Sequence, residues 1–124
     1  MAEKLWNKVR DRLPRQYCGR NVVCLNTHFR YSKYEHGMEF GLHRDGVNQD
    51  RNGRRSVITF NIFLNDDFDG GETDFFDDSN NLILSARPKA GRAALFDGQI
   101  LHRGNKVLNG CKYLLRTDVM LQFM

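Results

Sequence analysis

The residues best suited to chemistry are His43 and Asp45, separated by one residue, with His102 far downstream. Two imidazoles and one carboxylate can cap one face of an octahedral ferrous ion, leaving three positions for a chelating co-substrate and dioxygen. His-x-Asp alone arises often by chance, so it carries weight only in context. Here the context is Tyr34 and Phe40 just upstream, a Gly70-Gly71 turn within Asp66–Phe76, and Gly110-Cys111-Lys112 beyond His102. A zinc hydrolase would also use three such ligands, but it needs a separate general base beside an activated water, and no residue has motif support for that role.

The pattern Tyr34-x2-Gly37-x2-Phe40-x2-His43-x-Asp45, then Leu64-Asn65-Asp66-Asp67-Phe68-x-Gly70-Gly71-Glu72-Thr73, then His102 and Lys112, resembles the prolyl 4-hydroxylase branch of the Fe(II)/2-oxoglutarate dioxygenases. The likeness covers residues 22–124. It implies a mainly β fold, a double-stranded β-helix or jelly roll. It also implies His43, Asp45 and His102 as the catalytic metal ligands, with Fe(II), 2-oxoglutarate and O2 as cofactor and co-substrates and ascorbate as a reductant. Lys112 is then the anchor for the far carboxylate of 2-oxoglutarate, and Tyr34 adds a phenolic hydrogen bond. The family often carries a tyrosine where this chain has Phe63, so that contact is missing.

Arg116 competes with Lys112 for the diacid. On one strand the two would share a face, yet lie roughly 13 Å apart at about 3.3 Å per residue, too far for one carboxylate to use both. Lys112 is favoured, because Cys111 and Tyr113–Leu115 suggest a buried neighbourhood in which an unpaired charge is costly. His28, read as lying inside a strand, and His36, in a turn, are set aside. Asn65-x-Asp67-x-Asp69-Gly70 opens like a calcium loop but has Phe76 where the bidentate glutamate belongs.

These side chains need a scaffold that brings distant segments together. Leu5, Trp6, Val9 and Leu13 have helical spacing over Glu3–Leu13, which Pro14 stops, predicting an N-terminal packing helix. Thereafter the period is two: Val22–Tyr34, Glu39–His43, Ser56–Leu64, Thr73–Phe76, Leu82–Ala86, Arg92–Phe96, Ile100–His102 and Lys112–Phe123 read as strands. Within Ser56–Leu64, Phe60 and Ile62 alternate with Thr59, Asn61 and Phe63, giving one apolar face and one mixed face of the kind that lines a pocket. One domain over 1–124 is expected, with 1–21 as helix and connection and 22–124 as jelly-roll core.

The net charge is +4 over 124 residues. Basic residues gather in Lys4–Arg20 and at Arg51, Arg54 and Arg55, without the interleaved aromatics of a nucleic-acid binder. A peptide or protein substrate is therefore expected over nucleic acid. Three cysteines without CxxC spacing argue against a disulfide framework and a zinc knuckle. No apolar run marks a signal peptide or a membrane span, so an intracellular, cytoplasmic protein is expected. Nothing in the residues fixes an oligomeric state. The expected activity is hydroxylation of a side chain, most readily prolyl, with succinate and CO2 as co-products. The rivals are a non-catalytic ligand-binding jelly roll and an oxygenase of modified nucleic acid bases.

Overall fold

The computed structural model describes residues 1–123. It opens with helix α1, Ala2–Val9, followed by a single 3-10 turn, Arg10–Arg12. The helix is therefore shorter than the spacing predicts. Pro14 disfavours helical backbone at the residue before it, and Leu13 is extended at φ −110°, ψ 149°. The last turn tightens so that the Leu13 N–H reaches the Arg10 carbonyl at 3.2 Å.

The strands are β1 (Gln16–Tyr17), β2 (Arg20–Leu25), β3 (Arg30–Tyr34), β4 (Phe40–His43), β5 (Arg54–Phe63), β6 (Asp69–Gly70), β7 (Thr73–Phe76), β8 (Leu82–Ala86), β9 (Ala93–Asp97), β10 (Leu101–Gly104), β11 (Val107–Asn109) and β12 (Lys112–Gln122). The major sheet runs β1-β2-β12-β5-β9, with β3 also paired to β12; the minor sheet runs β4-β10-β7-β8. This is the expected jelly roll with an N-terminal helix. The first sheet strands begin inside the segment expected to be a mere connection.

The stretch predicted as one strand, Val22–Tyr34, is two. The Asn26 side chain accepts the His28 N–H at 3.0 Å. The Thr117 hydroxyl lies 2.9 Å from the carbonyls of both Asn26 and His28. The one local bond and the two from distant Thr117 draw the chain out of the ladder, so that β2 pairs with Val119–Leu121 and β3 with Lys112–Arg116. His28 therefore sits in a connection and not within a strand.

Alternation along β5 divides the layers. Ile58 and Phe60 turn toward α1 and join Leu25, Val119 and Leu121 in a core against which Leu5, Trp6 and Val9 pack. Thr59, Asn61 and Phe63 turn the other way, toward the minor sheet. Among the described residues no helix is long and apolar enough to cross a membrane. Phe60 is 1% exposed and Leu108 60%. Phe60→Ala is therefore expected to cost about 3–5 kcal/mol, whereas Leu108→Ala should change stability little; chemical denaturation of both variants checks the contrast.

Candidate metal and co-substrate site

His43 closes β4 and His102 lies in β10, and the two are direct partners in the antiparallel ladder. That register places the rings 4.3 Å apart despite their distance in sequence. Asp45 follows β4 and is drawn inward by its own backbone. Its N–H donates to the Gly98 carbonyl at 2.8 Å, and its carbonyl accepts from Gln99 Nε2 at 2.9 Å. Gly98 permits this approach, since a Cβ there would lie 3.0 Å from Asp45 Cβ and 3.3 Å from Thr59 Oγ1.

Asp45 Oδ1 is 3.3 Å from Nε2 of each histidine. His43 Nδ1 lies 2.6 Å from the Gly41 carbonyl, and His102 Nδ1 lies 2.7 Å from the Ile100 carbonyl. Those bonds commit Nδ1 as the donor, so in the neutral rings Nε2 carries a lone pair aimed at the carboxylate. Three electron-rich atoms thus face one point. A positive charge must stand between them, either a proton on Nε2 or a metal ion. One ligand atom from each of His43, Asp45 and His102 lies within 4.8 Å of the others. Two imidazole nitrogens and a carboxylate oxygen fit ferrous iron.

Asp45 Oδ2 is occupied separately, accepting the Thr59 hydroxyl at 2.5 Å. Burial opposes ionisation of Asp45, but bonds from His102 and Thr59 and the nearby Arg116 charge outweigh it and bring the carboxyl down to about 2. His102 is 4% exposed and is enclosed by Phe75 and Phe96. The His43 side chain keeps 23% exposure and is the open side of the triad.

The pocket beside the triad is lined by Tyr34, Asn61, Thr73, Lys112 and Arg116, among others. Lys112 is 2% exposed. Its ammonium rests over the rings of Tyr34 and Phe63, 5.1 and 5.7 Å from their centres, and forms no hydrogen bond or ion pair with the described residues. Burial lowers its pKa to about 8, partly offset by the charge of Glu72. Arg116 lies at the other end, with Nη1 3.4 Å from Asp45 Oδ1. The two cations share a face of β12, as predicted. Phe63 lies buried beneath the Lys112 ammonium and offers no hydroxyl. His36 lies in a turn outside the pocket.

A family model described as the 2OG-Fe(II) oxygenase superfamily matches residues 29–117, a span that contains all three converging ligands. The chain belongs to that superfamily. A PKHD-type hydroxylase of Picosynechococcus sp. is 36% identical over 84 residues, covering 66% of this chain and 36% of that protein. The chain thus spans well under half the length of this relative. Among solved structures, a Trichoplax adhaerens prolyl hydroxylase in complex with a hypoxia inducible factor peptide fragment shares the fold at TM-score 0.71 and 17% identity, covering 94% of this chain and 53% of that one. A viral collagen prolyl hydroxylase of Paramecium Bursaria Chlorella virus-1, in complex with 2OG, aligns at TM-score 0.68 and 20% identity over 99% of this chain and 73% of that one. The family accounts for Fe(II) and 2-oxoglutarate as cofactor and co-substrate.

Several residues at the site were not singled out from sequence as site residues: Thr59, Asn61, Thr73, Gly98, and Arg30 and Ser32 on the pocket face of β3. The signal for Arg30 and Ser32 was the alternation leading into Tyr34.

Two outcomes test this geometry. Thr59→Val removes the bond that holds Asp45 Oδ2, and loss of such an outer-shell partner typically costs 10–100-fold in metal affinity; direct metal titration measures it. For Lys112, the folded pKa near 8 lies below the free value of 10.5. Between the two, the unfolded chain binds the extra proton, so stability should rise with pH across that window. Denaturation from pH 7 to 10 should show this rise in the wild type and lose it in Lys112→Met, which should also be the more stable protein at pH 7. A flat wild-type profile would mean that Lys112 is not a desolvated cation.

Proposed function

We propose that this chain is the catalytic unit of an Fe(II)- and 2-oxoglutarate-dependent dioxygenase that hydroxylates a side chain, most readily prolyl, of a peptide or protein. The observation that carries the reading is one pocket lined by His43 and His102 of the convergent His43–Asp45–His102 set and, at its other end, by the buried, unpaired Lys112. His43, Asp45 and His102 hold the metal. Together, Fe(II) and 2-oxoglutarate supply an oxidative hydroxylation in which O2 is divided between the product hydroxyl and succinate, with release of CO2.

The chain's residues bind and orient. Lys112 pairs with the far carboxylate, and a charge-assisted bond in a dry pocket is stronger than the same bond in water. Tyr34 adds a hydroxyl on the same wall. Phe75 and Phe96 keep water from His102, so access is from the His43 side, where Phe40 is 47% exposed. The peptide-bound neighbour, alike in fold, supports a peptide substrate. Proline in an extended segment suits an open groove because its φ is already fixed, so little ordering is lost on binding. The flanking loops supply less charge than their composition suggests. Arg54 is spent on Asp50 at 2.8 Å within its own loop, and Asp66 accepts the Ala90 N–H. Arg51 remains exposed for a substrate, whereas Arg55 already rests over the Phe123 ring at 4.4 Å and donates to Gln49.

The test is incubation with Fe(II), 2-oxoglutarate and a proline-rich peptide library, reading succinate and a one-oxygen mass increase. Both are expected in wild type and absent in His102→Ala. Lys112→Ala should raise the apparent KM for 2-oxoglutarate by the equivalent of about 2–5 kcal/mol, the usual cost of breaking a buried charge pair. Products confined to nucleobases or free small molecules would refute the peptide assignment. Full turnover by His102→Ala would refute the triad.

A further inference from the structure

Arg116 sits in a row of polar side chains that the proposed chemistry has not yet used. In the sheet it is the direct partner of Asn61 on β5 and of Arg30 on β3, and all three line the pocket. Its guanidinium touches two carboxylates, Asp45 Oδ1 at 3.4 Å and Asp118 Oδ1 at 3.6 Å. Both contacts are longer than the 2.7–2.9 Å of a charge-assisted hydrogen bond. Among the described residues its N–H donors meet only these two long carboxylate contacts. Across the ladder, Asn61 keeps its Oδ1 buried, which leaves the amide N–H donors as the polar atoms that this pocket-lining side chain can offer.

Lys112 lies two alternating positions away on the same face, roughly 13 Å along the backbone. One carboxylate cannot meet both cations, but the two carboxylates of one short diacid can each meet one. Charge supports this division. At the metal end, Asp45, Asp118 and an incoming carboxylate bring three negative charges together, which call for a divalent metal and the guanidiniums of Arg116 and, beside Asp118, Arg30. A planar fork also suits a carboxylate better than a second ammonium would. We infer that Arg116, assisted by Asn61, is a second carboxylate-binding station, so that the co-substrate is held at both ends, by Lys112 at the far end and by Arg116 at the metal end. This rests on the dioxygenase reading and deepens it.

The test compares pyruvate, which has the keto acid end alone, with 2-oxoglutarate, by calorimetry on the Zn(II)-saturated chain. Arg116→Gln should weaken both acids by the same factor, tenfold or more, and Asn61→Leu should weaken both by less. Lys112→Met should weaken 2-oxoglutarate and leave pyruvate unchanged. Arg116→Lys, which keeps the charge without the fork, should recover part of the loss and also guards against a folding defect in the glutamine variant. If Arg116 only supported Asp45, Arg116→Gln would lower zinc affinity yet leave pyruvate binding at saturating zinc within twofold of wild type, which overturns the inference. A wild-type protein that binds neither acid overturns the dioxygenase reading along with it.

Discussion

A carboxylate that is 7% exposed organises this structure. Asp45 is held by a donor at one oxygen, Thr59, and by the Arg116 charge at the other, which also faces the point where the two histidine Nε2 atoms converge and where a proton or a metal ion must stand. Removing any one partner leaves the rest holding a desolvated charge, which is costly in a low-dielectric interior. The register of β4 on β10, the inward turn of the chain after His43 and the bare Cα of Gly98 serve the same constraint.

The two faces of β5 separate stability from chemistry. Toward α1, Ile58 and Phe60 join an apolar core with Leu25, Val119 and Leu121, and burial there drives folding. Toward the minor sheet, the same strand presents Thr59 to Asp45 and Asn61 to the pocket. Polar groups and the ammonium of Lys112 are buried on that side at an energetic cost, which the opposite face offsets. Such a split lets the site keep unpaired groups that a folding core would exclude. Those groups are the ones a diacid and a metal would satisfy.

Much of this was legible in the residues, and the exceptions share a cause. Period-two patterns located β7 and β8 to the residue, and the types of His43, Asp45 and His102 marked them as a candidate metal set, which the fold brings together. Pro14 marked the helix end, although the tightening into a 3-10 turn depends on packing as well as propensity. The break at Asn26 was invisible because it is made by Thr117, a residue far along the chain. Arg30 was hidden for the same reason, and Thr59 and Asn61, though read from alternation as a pocket-lining face, had no assigned partner. Each is unremarkable by type, and only the ladder with β12 or the approach of Asp45 gives it a role. Arg116 was noticed for the right pocket, but its nearness to Asp45 follows from the register of the strands and not from spacing.

The central claim is that His43, Asp45 and His102 hold Fe(II) in the same pocket that takes 2-oxoglutarate. Anaerobic titration with Fe(II) and then 2-oxoglutarate, followed by visible absorption, tests it most directly. The account predicts a weak metal-to-ligand charge-transfer band that saturates at one equivalent of each and disappears in Asp45→Ala. Binding of both components without that band, or an unchanged band in Asp45→Ala, would contradict it.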